Sequence, residues 1–491
     1  MRQSSAQLKW TWSARRVGLL LGPAVAMGML AWGAPGDLAV HAWLVAILAL
    51  FMAIWWVTEA VPIPVTALLP VAVLPVFGVG TTAEIAAPYA NPLVFLFLGG
   101  FLIALAIQRW DLHRRIALLI LHYSGQRPHH VVAGFMVGTA GLSMWVSNTA
   151  TAAMMLPIGL SVVVVMEGHR GNEASEAQRR FTRALLLGIA FAANIGGIGT
   201  LIGTPPNAIL AAFMAETYGV YIGFGQWMMI GVPVSLSLLV LCWWILTRLA
   251  FPLERTAIAG VTELIAQRRA ELGPITPTER RVLAVFALTA LAWVLRPLLE
   301  HQFDGVNLSD AGIAIVGAIA LFLLPAADHH QGALLDWSRT RELPWGVILL
   351  VGGGLSLGTA IESSGLSTAV AAQLIGMGTL PIVMTIAAIA AFTVLLSHVA
   401  SNTATTAMLL PLVTSIAVTT DQAPAFLAVP VALAASCAFM LPVATPPNAI
   451  VFGSERLHVV DMVRAGSGVT LIALPLITVA SLLLAPLVLA Q

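Results

Sequence analysis

Long apolar runs separated by short polar segments make up most of the chain. They lie at about residues 17–33, 41–57, 64–79, 92–108, 184–218, 224–249, 283–298, 310–325, 343–361, 425–454 and 467–490. Runs of this kind are typical of helices that span a bilayer. Two further apolar stretches, residues 116–165 and 366–420, enclose polar segments and are interpreted as helical hairpins that enter the membrane and return. The pattern predicts an all-α polytopic membrane protein with eleven spanning helices and two re-entrant hairpins.

Composition supports this class. Hydrophobic residues make up 59% of the 491 residues and charged residues only 9%, which is too few to cover the surface of a water-soluble protein. The net charge is +1 and the basic residues are spread over loops, so the chain lacks the basic patch of a nucleic-acid-binding protein. Cys242 and Cys437 lie in apolar segments without metal-ligand spacing and are interpreted as small buried hydrophobic residues.

Three motifs occur twice, in the same order, in the two halves of the chain. Ser147–Pro157 reads SNTATAAMMLP, and Ser401–Pro411 reads SNTATTAMLLP. The other pairs are GTPPNAI with ATPPNAI, and FLGGFLIALAI with LVGGGLSLGTAI. Matching order at matching spacing predicts a duplicated architecture.

The distribution of basic residues predicts that the two repeats have opposite orientations in the membrane. The first SNTAT segment is flanked on both sides by arginines, namely Arg109, Arg114, Arg115, Arg127, Arg170, Arg179, Arg180 and Arg183. No Lys or Arg occurs from Leu343 through Glu455 around the second. Because basic loops stay in the cytoplasm, the first hairpin should open inward and the second outward. We therefore expect an inverted repeat in a bacterial cytoplasmic membrane, with the N-terminus inside and the C-terminus outside.

The same motifs divide the chain into four predicted parts. Residues 1–118 precede the first hairpin, and residues 119–249 contain that hairpin and the first broken helix. Residues 250–365 contain a cytoplasmic linker and further apolar spans, and residues 366–491 contain the second hairpin, the second broken helix and the last helix.

The repeated motifs supply neutral oxygen and nitrogen atoms at membrane depth. Asn, Ser and Thr side chains offer both acceptors and donors, so the SNT tips can contact a cation and an anion. The prolines of each TPPN motif remove backbone donors and predict that the spans 184–218 and 425–454 break into half-helices. Unwound carbonyls favour cations, and half-helix N-termini favour anions. Since these segments contain no charged residue, we expect Na+ to bind first and to attract an anion.

The paired SNTAT and TPPNAI motifs, together with WWVTEAVPIPVTALLP from Trp55, resemble the divalent anion:sodium symporter family, which includes the INDY-type di- and tricarboxylate transporters. The resemblance extends over nearly the whole chain. It implies a homodimer in the lipid bilayer, in which a transport domain moves like an elevator against a scaffold domain. In this division residues 1–118 and 250–365 would supply the scaffold helices and the cytoplasmic linker, and residues 119–249 and 366–491 would form the two parts of the transport domain.

The resemblance also implies a set of site residues. One sodium site would comprise Ser143, Ser147, Asn148 and the carbonyl of Gly203. A second would comprise Ser397, Ser401, Asn402 and the carbonyl of Ala444. Substrate carboxylates would contact Asn148, Thr149, Asn402 and Thr403, in a pocket closed by Thr204, Pro205, Thr445 and Pro446.

Several alternatives accompany these assignments. Asn207 and Asn448 could cap the second half-helices or contact an ion. His398 lies between two predicted ligands and is a possible modulator. If its ring faces the site, a protonated His398 could replace a sodium charge in a proton-linked carrier or an anion exchanger. From its spacing relative to Ser397 and Ser401, we expect the ring to lie beside the site. A His398–Ser401 hydrolase dyad would lack an oxyanion motif and an orienting carboxylate, so we do not expect an enzyme.

A channel is a further alternative. The glycine pair at residue 99 and the glycine triplet at residue 352 could suggest a selectivity filter, but they favour close helix packing.

The sequence therefore predicts a sodium-coupled carrier of small divalent anions, most favourably C4-dicarboxylates such as succinate, malate or fumarate. A sodium-independent dicarboxylate exchanger and a transporter of sulfate or citrate remain the alternatives.

Overall fold

The computed structural model describes residues 4–36, 38–167, 175–302, 307–327, 332–375 and 380–489, and over these residues it contains helices and no strand. The predicted all-α class is confirmed. Some predicted features lie outside the described residues. They are Arg170, both ends of the predicted four-part division (1–3 and 490–491) and a part of the second predicted hairpin (376–379).

The helices of the first half follow one another with short connections. They are α1 Ser4–Trp32, α2 Val40–Thr58, α3 Ile63–Thr66, α4 Leu69–Val73, α5 Thr82–Ala86, α6 Pro92–Arg109, α7 Leu112–His122, α8 Pro128–Ser143, α9 Asn148–Glu167, α10 Glu176–Gly197, α11 Pro205–Tyr218 and α12 Phe224–Trp244. A π-helical segment, Ile245–Ala250, continues α12.

The second half repeats the order of a two-helix hairpin followed by two half-helices. Its helices are α13 Val261–Glu271, α14 Pro277–Gln302, α15 Asp310–Leu323, α16 Trp345–Ser363, α17 Leu366–Ile375, α18 Ile382–Ser397, α19 Asn402–Thr419, α20 Pro424–Ala435, α21 Pro446–Phe452 and α22 Val459–Leu489.

Nine helices within the described residues are long and apolar enough to cross a membrane. Seven of them coincide with predicted spans, and the other two are α9 and α19, the second arms of the hairpins. The predicted span 64–79 is divided into α3, α4 and a 3-10 turn, and the predicted span 310–325 contains the 14-residue helix α15. The total of eleven spans and the re-entrant course of the hairpins stay predictions.

Both broken helices are interrupted where the prolines predict it. α10 ends at Gly197 and α11 begins at Pro205, while α20 ends at Ala435 and α21 begins at Pro446. The residue before each proline pair, Thr204 or Thr445, is extended, with φ near −145° and −142°. A residue before proline avoids helical backbone, which explains why each break ends there.

The two repeats are interlaced around these breaks. Within the first repeat, α8 and α9 pack against α10, and within the second, α18 and α19 pack against α20. Across the repeats, α9 and α10 pack against α21, whereas α19 and α20 pack against α11. Each hairpin therefore contacts the second half-helix of the other repeat, and the breaks lie at the centre of one shared core.

Close packing and a few buried polar contacts hold the surrounding helices. A side chain at Gly99 would lie 2.6 Å from the backbone of Ala314, which confirms close helix packing at the first glycine pair. Asp310 joins three helices, because its carboxylate accepts from the Phe224 N–H at 2.7 Å and pairs with Arg296 at 3.3 Å. Trp293 of α14 stacks on Phe224 with ring centroids 4.3 Å apart.

Candidate functional site

The tip of the first hairpin contacts the end of α10 through Ser143 and Asn148. Ser143 ends α8 and is fully buried, and its Oγ donates to Ala193 O of α10 at 2.7 Å. Asn148 begins α9 and is partly exposed. The short connection between the arms thus brings both side chains onto one carbonyl, which lies one turn before the first break.

The Asn148 amide has two orientations at this tip, and hydrogen bonding favours one of them. With its oxygen inward, Oδ1 would lie 2.5 Å from Ser143 Oγ, 3.1 Å from Ala193 O and 3.2 Å from Gly203 O, and these oxygens share too few protons to satisfy one another. With its NH2 group inward, the amide donates to all three oxygens, so this is its orientation without an ion. The neutral oxygens at the tip form a donor set that fits Na+ when the amide turns its own oxygen towards them.

Asn207 holds the first break together. Its side-chain amide is fully buried and donates to the carbonyls of Gly197, Ile198 and Thr200, at 3.1, 3.2 and 2.7 Å. Thr200 Oγ1 donates to Met144 O at 2.5 Å and so connects the break to the hairpin tip. The unwound carbonyls are satisfied by these side chains in place of helical hydrogen bonds.

Asn448 has the corresponding position in the second break and makes the corresponding contacts. Its amide donates to Ala438 O at 3.2 Å and to Leu441 O at 3.0 Å. The N-cap residues are Thr204 and Thr445, and the Thr445 hydroxyl accepts from the Asn448 N–H at 3.4 Å. The alternative that the two asparagines cap the half-helices is therefore wrong, because their side chains reach back across the breaks.

The tip of the second hairpin leaves oxygens without partners. Ser397 ends α18 and is fully buried, and Asn402 begins α19 and is partly exposed. Ser397 Oγ and Asn402 Oδ1 make no hydrogen bond to any of the described residues. Burying polar oxygens without partners is costly unless a ligand compensates them. These two atoms belong to the predicted second sodium site, and their surplus acceptors fit a cation.

His398 lies on the loop between the arms and bonds to backbone with both ring nitrogens. Nδ1 is 2.7 Å from Val394 O, and Nε2 accepts from the Met440 N–H at 3.1 Å. Because Met440 lies in the second break, the ring ties the hairpin tip to that break. These contacts occupy the nitrogen that a dyad with Ser401 would need. A role of His398 as a modulator stays a prediction.

The other predicted residues differ between the two repeats. Thr403 is buried and Thr149 is exposed. Among the residues that would close the pocket, Thr204 and Thr445 are both 3% exposed, while Pro446 is exposed. Ser147 and Ser401 are partly buried at the starts of α9 and α19, where Ser147 Oγ accepts from the Ala150 N–H at 3.3 Å. The two predicted substrate threonines therefore differ in exposure.

Two contacts of the site were not predicted from the sequence. Ala193 contributes a backbone carbonyl, which no side-chain pattern reveals. Asn194, which is 2% exposed, donates to Thr445 Oγ1 at 2.9 Å and to Asn448 Oδ1 at 3.3 Å. A polar residue inside an apolar run is the signal that could have identified Asn194.

Comparisons with solved structures place the fold among transporters. The Alcanivorax borkumensis YdaH transporter aligns with a TM-score of 0.59 and 14% identity, over 91% of this chain and 97% of that one. Neisseria gonorrhoeae MtrF, from a class of antimetabolite efflux pumps, aligns with a TM-score of 0.56 and 12% identity, over 92% and 97%. At such low identity the similarity concerns the fold alone.

Sequence comparisons identify the family. A sodium-dependent dicarboxylate transporter, SdcS, of Staphylococcus saprophyticus is 40% identical over 474 residues, which cover 96% of this chain and 91% of the relative. SdcS of Staphylococcus aureus strain USA300 is 39% identical over 478 residues, with 96% and 92% covered. The model of the sodium:sulfate symporter transmembrane region matches residues 13–489. The chain therefore belongs to the sodium:sulfate symporter family, the divalent anion:sodium symporters that its paired motifs resemble.

Proposed function

We propose that this protein uses sodium binding to drive the uptake of C4-dicarboxylates such as succinate, malate and fumarate. The observation that carries the proposal is the duplicated arrangement of a neutral hairpin tip against an unwound, amide-braced break. Each repeat has an Asn–Thr pair at the start of a helix and carbonyls at the break, so each can contribute both cation and anion contacts. The names of the 39–40% identical relatives support sodium and dicarboxylate as solutes.

Sodium is proposed to bind at two sites. The first comprises Ser143, Ser147, Asn148 and Gly203 O, where the Asn148 amide turns its oxygen inward to meet the ion. The second comprises Ser397, Ser401, Asn402 and Ala444 O, where two oxygens have no partner among the described residues. Both sites consist of neutral groups, so each bound ion adds a full positive charge close to the tips.

The dicarboxylate is proposed to bridge the two tips. Asn148 with Thr149 would contact one carboxylate, and Asn402 with Thr403 the other. The N-terminal ends of α9 and α19 begin at these asparagines and favour negative charge. Without sodium the substrate would bring two negative charges into an apolar core with no basic side chain in either tip, which is unfavourable. Substrate binding therefore depends on sodium.

Alternating access is proposed to follow from the inverted repeat, with a transport domain that moves like an elevator within a homodimer. The interlacing of both hairpins with both broken helices supports this, because those elements share one core and would move together. In this scheme the domain crosses only when it carries both ions and substrate, or neither.

Uptake of labelled succinate into proteoliposomes tests the proposal. An inward Na+ gradient should stimulate uptake, whereas an equal K+ gradient should not, and no internal dicarboxylate should be needed. Asn402→Ala should lose most of the sodium stimulation, while Ser235→Ala, a buried substitution on α12, should retain it. Uptake that ignores Na+ and requires internal dicarboxylate would instead identify an exchanger.

A further inference from the structure

A buried asparagine outside every predicted site connects the two repeats. Asn194 lies in the last turn of α10, and its amide donates to Thr445 and Asn448 of the other broken helix, at 2.9 and 3.3 Å. Asn448 in turn donates to Ala438 O and Leu441 O across the second break. A single side chain of the first repeat is thus bonded to the group that braces the second break.

The residue before it contacts the first predicted sodium site. Ala193 O accepts from Ser143 Oγ at 2.7 Å and lies 3.1 Å from the inward atom of the Asn148 amide. Adjacent residues of one helical turn therefore contact the first hairpin tip through a carbonyl and the second break through a side chain. A shift of this turn on sodium binding at the first site must move the Asn194 amide relative to Thr445.

Among the described residues, the second repeat makes no such connection in the opposite direction. When the repeats are aligned on their PPN motifs, Ala435 occupies the position of Asn194. The helix packing is matched, since α20 packs against α11 as α10 packs against α21. Accordingly Asn207 Oδ1 has no hydrogen-bond partner among the described residues, whereas Asn448 Oδ1 accepts from Asn194. The asymmetry follows from this one substitution between the repeats.

We propose that Asn194 is a positioning residue that couples the two sodium sites, so that occupation of the first site orders the second break. The inference rests on the proposed function, since it assigns an effect on sodium binding. In this scheme Asn194 contacts neither ion nor substrate. Its effect passes through Thr445 and Asn448, which set the positions of the carbonyls at the second break. Coupling of this kind makes sodium binding cooperative.

The test is sodium-dependent succinate uptake by Asn194→Ala in proteoliposomes. Loss of one bridging amide should raise the half-saturating Na+ concentration about fivefold and lower the Hill coefficient for Na+ towards one. Maximal uptake at saturating Na+ should stay within about twofold, because no ligand is removed. A purely structural role would lower maximal uptake and melting temperature while leaving half-saturation and the Hill coefficient unchanged, and that result would overturn the proposal.

Ser235→Ala provides the matched control. Ser235 of α12 is fully buried and donates to Ile195 O of α10, the helix that carries Asn194, at 2.8 Å, so its hydrogen bond is to α10 and not to residues of either break. Its substitution should leave the sodium dependence at the wild-type value. An equal rise in half-saturating Na+ in this control would show that any loss of a bond to α10 has the same effect, and would also refute the coupling.

Two further variants keep the test decisive. Asn194→Ser retains a hydroxyl that can bond to its own helix but is too short to bridge both partners, so it serves if Asn194→Ala does not fold. Ala435→Asn should supply the missing donor to Asn207 and lower the half-saturating Na+; an unchanged value counts against the proposal. If uptake by the wild-type protein does not depend on sodium, the proposed function fails. If wild-type uptake depends on sodium and Asn194→Ser has the wild-type half-saturating Na+ concentration and Hill coefficient, only the coupling fails.

Discussion

The corresponding serines Ser143 and Ser397 should respond in opposite ways to substitution by alanine. Both are fully buried at the end of the first hairpin arm. Ser143 Oγ donates to Ala193 O at 2.7 Å, whereas Ser397 Oγ has no partner among the described residues. Ser143→Ala therefore removes a buried hydrogen bond, which costs about 1–3 kcal/mol. Ser397→Ala removes a buried unpaired hydroxyl and should leave the sodium-free protein equally stable or up to about 2 kcal/mol more stable.

Sodium should reverse the sign of the Ser397→Ala effect relative to the wild-type protein. If Ser397 is an ion ligand, its alanine variant loses stabilisation that the wild-type protein gains on binding, which reaches about 2.7 kcal/mol when the ion is at 100 times its Kd. The assay is unfolding of the detergent-purified proteins in Na+ and in K+, with the free energy of unfolding compared between the two salts. Ser481→Ala is the control, because Ser481 of α22 is also fully buried and its hydroxyl has no partner among the described residues.

Two results would refute the reasoning. A Ser397→Ala protein as destabilised in K+ as Ser143→Ala would mean that the Ser397 hydroxyl has a partner in the sodium-free protein. A Ser397→Ala protein that keeps the full wild-type stabilisation by Na+ would mean that this hydroxyl is not a ligand, and the second predicted site would then need other residues.

Three further substitutions test the breaks and the junction of the surrounding helices. Asn207→Leu removes three buried hydrogen bonds and should lower the free energy of unfolding by about 2–4 kcal/mol. Thr289→Val removes one hydrogen bond within a helix and should lower it by about 1 kcal/mol or less, so equal losses would contradict the bracing role of Asn207. Gly203→Ala would place a Cβ 2.5 Å from a carbonyl oxygen of the preceding half-helix and should reduce sodium-dependent uptake more than tenfold. Gly453→Ala should transport normally, because its Cβ would lie 3.4 Å from the nearest atoms; similar uptake by both variants would argue against the tight break. Asp310→Ala removes one partner of the partly exposed Arg296, which also lies 4.0 Å from Glu300, and leaves the buried Phe224 N–H without its acceptor. It should cost about 1–3 kcal/mol in thermal unfolding experiments, and a wild-type melting temperature would show that these contacts contribute nothing.

The breaks and hairpin tips could be predicted from the sequence because their signals are local. A proline pair stops a helix through its own ring and through the preceding residue, whatever surrounds it. The extended Thr204 and Thr445 are therefore found where the motifs predict them. The same principle explains an error of detail: Pro64, Pro70 and Pro75 divide the apolar run 64–79 into short helices, although its hydrophobicity alone predicts one span.

The polar contacts at the centre could not be predicted, because they depend on which helices meet. Asn207 and Asn448 were expected either to cap helices or to contact ions, yet their amides brace carbonyls seven to ten residues earlier in the chain. Asn194 bonds to a residue 251 positions away, and only the interlacing of α10 with α21 brings the two together. The roles of the predicted ion and substrate ligands stay predictions that the proposed experiments address.

The interlacing of the repeats has a consequence for the biogenesis of the protein. The first broken helix is synthesised long before α21, since Asn194 and Thr445 are separated by 251 residues. Until the second repeat follows, the Asn194 amide lacks its final partners in a membrane that cannot solvate it, whereas the carbonyls of the first break already have Asn207 of their own repeat. Contacts this distant in sequence form late in folding. The Asn194 amide must therefore be solvated meanwhile by water, lipid headgroups or the insertion machinery, and the core shared by the two repeats is completed only when α21 has been inserted.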